Sequence, residues 1–110
     1  NILIMHKKLI NINYFIFLFI IALPNTLNAG DIFDRGKQIF LGDGNCAACH
    51  TLQEANSKGN IGPNLDEIKP GIARIIHAVT NGIGVMPAYD GVLSTEDIKA
   101  VAIYINESTN

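Results

Sequence analysis

Only two cysteines, Cys46 and Cys49, occur in the 110 residues. At most one disulfide can form, and a bridge between such close positions closes so small a loop that it constrains the unfolded chain weakly. Tryptophan is absent, and basic side chains are scarce: eight Lys and Arg stand against ten Asp and Glu. Nucleic-acid binding relies on basic clusters, so that class is disfavoured. No strand pattern shows and no βαβ pattern precedes the cysteines. Internal repeats, low-complexity tracts and domain linkers are also missing.

One long apolar run is present. Lys7 and Lys8 precede a nearly all-apolar stretch from Tyr14 to Leu23, followed by Pro24 and a short polar run ending at Ala29. A basic start, an apolar core and a small residue before the cut make up an export signal. The sequence predicts cleavage after Ala29, giving a signal at 1–29 and a single domain at 30–110. The rival reading is an uncleaved anchor. Against it, the uninterrupted run is shorter than the roughly 20 residues a span requires, and Asn11 and Asn13 interrupt its start. Beyond Ala29 lie six basic and all ten acidic side chains, a formal charge of −4. Such a surface suits a partner with a positive patch. So short a domain buries a thin core and usually needs a staple, which the two cysteines alone do not supply.

The apolar spacing predicts helices. Ile32, Gly36, Ile39 and Phe40 share a face, giving a helix over 31–40 with Asp31 near its N-cap. A glycine inside it, Gly36, suits close approach of another backbone. Ile72, Ile75, Ile76 and Val79 form a second apolar face, with Pro70 at its start and Gly82 as C-terminal cap. Ser94 followed by Asp97 is an approximate capping box before Ile98, Val101, Ala102 and Ile105. The polar stretch between the cysteines and the second helix reads as an ordered loop wrapping something. The fold class is all-α, three or four short helices with long loops. "NES" at Asn106 matches a glycosylation acceptor and is read as chance.

The chemistry lies in "CAACH". Cys46, Cys49 and His50 fit a metal clip, a redox dithiol or a haem anchor. A structural zinc site wants four ligands, and adjacent Cys49 and His50 point different ways on most backbones. A thioredoxin-like dithiol needs a strand before it. The haem reading uses every piece: two thiols bond the porphyrin and the histidine binds its iron. A buried porphyrin also supplies the apolar body that a thin core lacks. Beyond the signal the one methionine is Met86, held out of helix by Pro87. It is the candidate for the sixth iron position, with loop packing as the bland alternative and His77 as the rival ligand. Pro63 stiffens a turn, and its region can present a carbonyl to the ring N–H of His50.

"CAACH", "IGPNL" and "VTNGIGVMPAYDGVLSTEDIKAVAIYI" together resemble the class I monohaem cytochromes c, nearest the cytochrome c6 and short bacterial types. The resemblance spans nearly all of 31–105. It implies a small cytochrome c fold around one covalent haem c, with Cys46 and Cys49 as thioether anchors. It implies His50 and Met86 as axial iron ligands and the Pro63 carbonyl as acceptor for His50. Gly36 and Phe40 match the first-helix positions that cross the last helix, with Tyr104 as their counterpart. Asn64, Leu65 and Pro87 fall in the loops at the haem edge. The chain departs from mitochondrial-type members in having no tryptophan and few lysines, and "IGPNL" departs from the usual c6 loop.

The implied function is a soluble, monomeric electron carrier, not an enzyme, working in the periplasm or a thylakoid lumen. Its partners are a reductase as donor and an oxidase, dehydrogenase or photosystem as acceptor. Neither nucleic acid nor stable membrane insertion after signal cleavage is expected. The loop from Gly84 to Tyr89 is the expected rim. Two rivals share the haem: a cytochrome subunit fixed to a periplasmic dehydrogenase, for example one oxidising sulfur or sulfite, and a ligand-binding haem sensor.

Overall fold

The computed structural model describes residues 28–110, with Ile2 and Thr26 besides; the signal expected at 1–29 lies almost wholly outside the described residues. Helix α1 runs Ala29–Leu41 and begins two residues earlier than the spacing predicts. Asn28 is its N-cap, and the Asn28 backbone N–H donates to Asp31 Oδ2 at 3.3 Å. Asp31 therefore closes a capping box from the third helical position and is not the cap itself. A one-turn 3₁₀ helix, Cys46–Ala48, follows. Helix α2 is Leu65–Ile68, α3 is Ile72–Asn81 and α4 is Thr95–Thr109. Gly82 ends α3 at φ 73°, and Ser94 caps α4 by accepting the Asp97 N–H at 3.0 Å, as the sequence predicts.

The all-α expectation holds, with one addition. Residues Thr51–Leu52 (β1) and Ser57–Lys58 (β2) form a short antiparallel ladder, Thr51 opposite Lys58 and Leu52 opposite Ser57. Two residues per strand are too few for alternation to register in a sequence. The ladder is locked by Ser57, whose hydroxyl accepts the Leu52 N–H at 3.0 Å.

The main contact of the fold is α1 against α4. Ile39 and Phe40 of α1 and Val101, Ala102 and Tyr104 of α4 are wholly buried there. Gly36 sits at the crossing. A Cβ on it would fall on the Ala100 carbonyl oxygen and 2.5 Å from Cβ of Tyr104, so only glycine lets the helices approach this closely. Tyr104 packs edge-on against Phe33, ring centroids 5.0 Å apart, and tilted against Phe40 at 5.7 Å. Helix α3 covers the remaining side, burying Ile75 and Val79. Ile76 is half-buried, whereas Ile72, expected on the same face, remains exposed. Asn106 is no free acceptor for a glycan: it lies within α4 and donates its side-chain N–H to the Pro70 carbonyl at 3.1 Å.

Two polar ties fasten the pair of helices. Arg35 of α1 grips Asp97 of α4 with both arms, at 3.0 and 2.9 Å. Lys37 donates to Glu54 at 2.8 Å, and Glu54 also accepts the Tyr104 hydroxyl. The Arg35 hydrogen bonds hold the Asp97 carboxyl below its ordinary range. Burial alone would raise Glu54, but hydrogen bonds from Lys37 and Tyr104 outweigh it and keep that carboxyl low too. Burial, then the neighbouring Glu54, pushes the Tyr104 hydroxyl up.

Two outcomes test this frame. Gly36→Val should cost at least ~2 kcal/mol of stability by overpacking the crossing, read from the midpoint of chemical unfolding. Both carboxylates release their protons more easily folded than unfolded, so the unfolded state binds more protons in acid. The stability they add is present above the ordinary carboxylate range and is lost as pH falls below about 4. Asp97→Asn should therefore lower the melting temperature at neutral pH and flatten the acid limb of its pH profile.

Candidate functional site

The three-residue 3₁₀ turn arranges the sequence motif in space. Asn45 enters it in the left-handed region, φ 47°, and the His50 N–H returns to the Cys46 carbonyl at 3.0 Å. Cys46, Cys49 and His50 thereby line one cavity of about 340 Å³. Phe40, Leu65, Ile75, Val79 and Ile105, which belong to the core or flank it, line the same space. The cysteines are not bridged to each other. Burial, and then the nearby Cys49 charge, push the Cys46 thiol up to about 11, which marks how apolar this wall is.

His50 is held in one orientation. Its Nδ1 lies 2.8 Å from the Pro63 carbonyl oxygen. An imidazole that donates there carries its proton on Nδ1 and keeps the Nε2 lone pair free for a metal. Gly62 presses on the ring: a Cβ on Gly62 would come within 2.6 Å of Cε1 and 2.9 Å of Nδ1 of His50. The Gly62 N–H also donates to the Cys49 carbonyl at 2.7 Å, fastening the 59–63 loop over the motif.

Met86 reaches the cavity from the loop after α3. Ile83 and Met86 exchange backbone hydrogen bonds of 3.1 and 2.9 Å, forming a tight turn that fixes the methionine. Met86 is half-buried against the core and lines the cavity, as do Pro63, Leu65 and Pro87. Two residues singled out in the sequence do not reach it. Asn64 is the N-cap of α2, accepting the Asp66 N–H at 3.0 Å. His77 sits exposed on α3, its ring beside the Asn81 amide at 3.3 Å.

Sequence reasoning misses two participants. Tyr89 donates its hydroxyl to the Gly44 carbonyl at 2.5 Å, tying the Met86 loop to the loop that enters the cysteine turn. These residues are 45 positions apart, and no local pattern joins them. Among the described residues, Arg74 is the only Asp, Glu, Lys or Arg side chain on the cavity lining. Its place within a helical apolar stretch offers the sole signal.

Among the described residues, no group of three His, Cys, Asp or Glu side chains converges as a metal-binding cluster. The donors are instead two thiols, one oriented imidazole and one thioether around an apolar hollow. That set fits a covalently held haem, and the space suits an apolar ring.

Comparison with known proteins agrees. Residues 31–105 match the family described as cytochrome C oxidase, cbb3-type, subunit III. Cytochrome c6 of Synechocystis sp. is 38% identical over 97 residues, covering 78% of this chain and 72% of that protein. Cytochrome c6 of Porphyra purpurea is 34% identical over 108 residues, covering 90% of this chain and 92% of the other. The crystal structure of the c-type cytochrome SorU from Sinorhizobium meliloti superposes with a TM-score of 0.68 at 48% identity, over 73% of this chain and 93% of that one.

Removing the Tyr89 hydroxyl isolates its contribution. Tyr89→Phe should lower stability by about 1 kcal/mol and speed hydrogen exchange at the Tyr89 amide, which bonds to the Val79 carbonyl. An unchanged exchange rate would show that the loop is held without Tyr89.

Proposed function

The chain belongs to the cytochrome c family, and from that premise we propose that it shuttles single electrons between protein partners, docking through the apolar rim of its cavity. One observation carries the reading. Cys46, Cys49, His50 and Met86 line one apolar cavity, with His50 oriented by Pro63. Bound there through the two cysteines, haem c supplies a one-electron ferric–ferrous couple.

The residues have separate tasks. Cys46 and Cys49 would hold the haem by thioether bonds. His50 offers Nε2 to the iron because Nδ1 is engaged by the Pro63 carbonyl. Met86 would offer its thioether as the second protein ligand, which raises the potential relative to a nitrogen ligand. Held by both residues, the iron would keep no open position for a substrate, which is the arrangement of a carrier and not of an enzyme. The aliphatic lining excludes water and so limits how much solvent must reorganise when the charge changes.

The rim explains partner choice. Ile61, Ile83 and Val85 line the cavity yet are 69, 64 and 89% exposed. From Gly82 to Tyr89 there is no charged residue. The net negative charge lies elsewhere on the domain, so it guides a positive partner towards encounter while the rim makes the contact. Donor and acceptor are a reductase and an oxidase, dehydrogenase or photosystem, met by a monomer after export. The cytochrome c6 relatives favour a periplasmic or lumenal setting, and among the described residues no helix is long and apolar enough to cross a membrane. A subunit fixed to one dehydrogenase would present a similar bare rim. The c6 relatives weigh for the shuttle, and copurification with a large subunit would decide for the other.

Matured in a host competent for covalent haem attachment, the domain should keep its colour through acid–acetone extraction. Its anaerobic optical titration should follow a one-electron curve. Met86→Ala should lose the weak red band of a sulfur–iron bond, lower the potential and let the ferrous protein bind carbon monoxide. A colourless polypeptide, or carbon monoxide binding by the unaltered protein, would overturn the reading. Val85→Lys should slow electron transfer to a positively charged acceptor protein at least severalfold, with the potential unchanged.

A further inference from the structure

Arg74 stands in the first turn of α3, in the same helix as Ile75, Ala78 and Val79, and these four line the cavity together. It is exposed as a whole, so the guanidinium lies at the mouth. Among the described residues, the ion pairs join Arg35 to Asp97 and Asp43 and Lys37 to Glu54; none involves Arg74. No Asp or Glu lines the cavity. An arginine beside an apolar hollow, with no carboxylate of its own chain to meet it, is free to meet an anion that arrives with the occupant.

Haem brings such an anion: one edge of the ring carries two propionate carboxylates. The planar guanidinium fork fits a carboxylate through two parallel N–H···O bonds, which an ammonium does not reproduce. We propose that Arg74 receives a haem propionate at the cavity mouth and, by neutralising its charge, raises the reduction potential of the bound haem. This rests on the haem reading given above. The sign follows from Coulomb's law. A propionate charge near the iron favours the ferric state, and a cation paired with it cancels that preference.

The test compares mature holoproteins of the parent, Arg74→Gln and Arg74→Lys by redox titration at neutral pH. Arg74→Gln should lower the equilibrium constant for reduction about three- to tenfold, a fall of roughly 30–60 mV at 59 mV per tenfold. Arg74→Lys should recover most of it, because the charge remains. Arg74 is not an iron ligand, so the methionine–iron band should persist in both. An unchanged potential in Arg74→Gln with that band intact would sink the proposal and leave the carrier reading standing. So would an equal fall in Arg74→Gln and Arg74→Lys. A parent without covalent haem would remove both. If Arg74→Gln yields no holoprotein, the ferrous parent decides by proton NMR. The Arg74 side-chain N–H should show nuclear Overhauser contact to a propionate methylene, and its absence refutes the pairing.

Discussion

The core of this domain does not close on itself. Phe40, Leu65, Ile75, Val79 and Ile105 are all buried in the core, yet each also borders a cavity of about 340 Å³. Its wall is apolar surface that only an apolar occupant would cover. The chain is therefore shaped around a body it does not itself provide. The cytochrome c assignment names that body, and the thin core that the sequence's length implies becomes intelligible. A haem attached there fills the space and so favours the folded chain.

Around that cavity the structure fixes its edges one by one. The α1–α4 pair, crossed at Gly36, lends Phe40 and Ile105 to the wall, and the Arg35–Asp97 and Lys37–Glu54–Tyr104 contacts fasten the crossing from outside. The 59–63 loop clamps His50 from one side, through Pro63 and Gly62. Tyr89 joins the Met86 turn to Gly44, next to the cysteine turn. The parts of the cavity wall that carry donor atoms are thus tied to each other, as a site needs when geometry sets its electronic properties.

Legibility in the sequence followed range. Cys46, Cys49 and His50 could be read because their chemistry is contiguous, and Met86 because the domain offers no second methionine. Ser94 and Gly82 announced their helix ends through local capping chemistry. The two-residue strands and the four-residue α2 were hidden, since neither is long enough to show a period. Asn64 looked like part of a haem-edge loop and serves as that short helix's cap. Asp97, read as half of a capping box, spends its carboxylate on Arg35, 62 positions away. Such partners are fixed by topology, and composition carries no trace of them. Arg74 escaped for a related reason: a cation in an apolar helix stretch looks like an ordinary solvated side chain until the cavity beside it is seen.

The uncharged stretch from Gly82 to Tyr89 has a bearing on tempo. Contacts made by bare aliphatic groups can part without separating ions that must then be rehydrated, so departure meets no large barrier. For a molecule visiting two stations in turn, dwell time at each limits traffic more than strength of attachment does. A greasy, ion-free stretch at the contact favours brief stays, and so a high rate of delivery from a small pool of carriers.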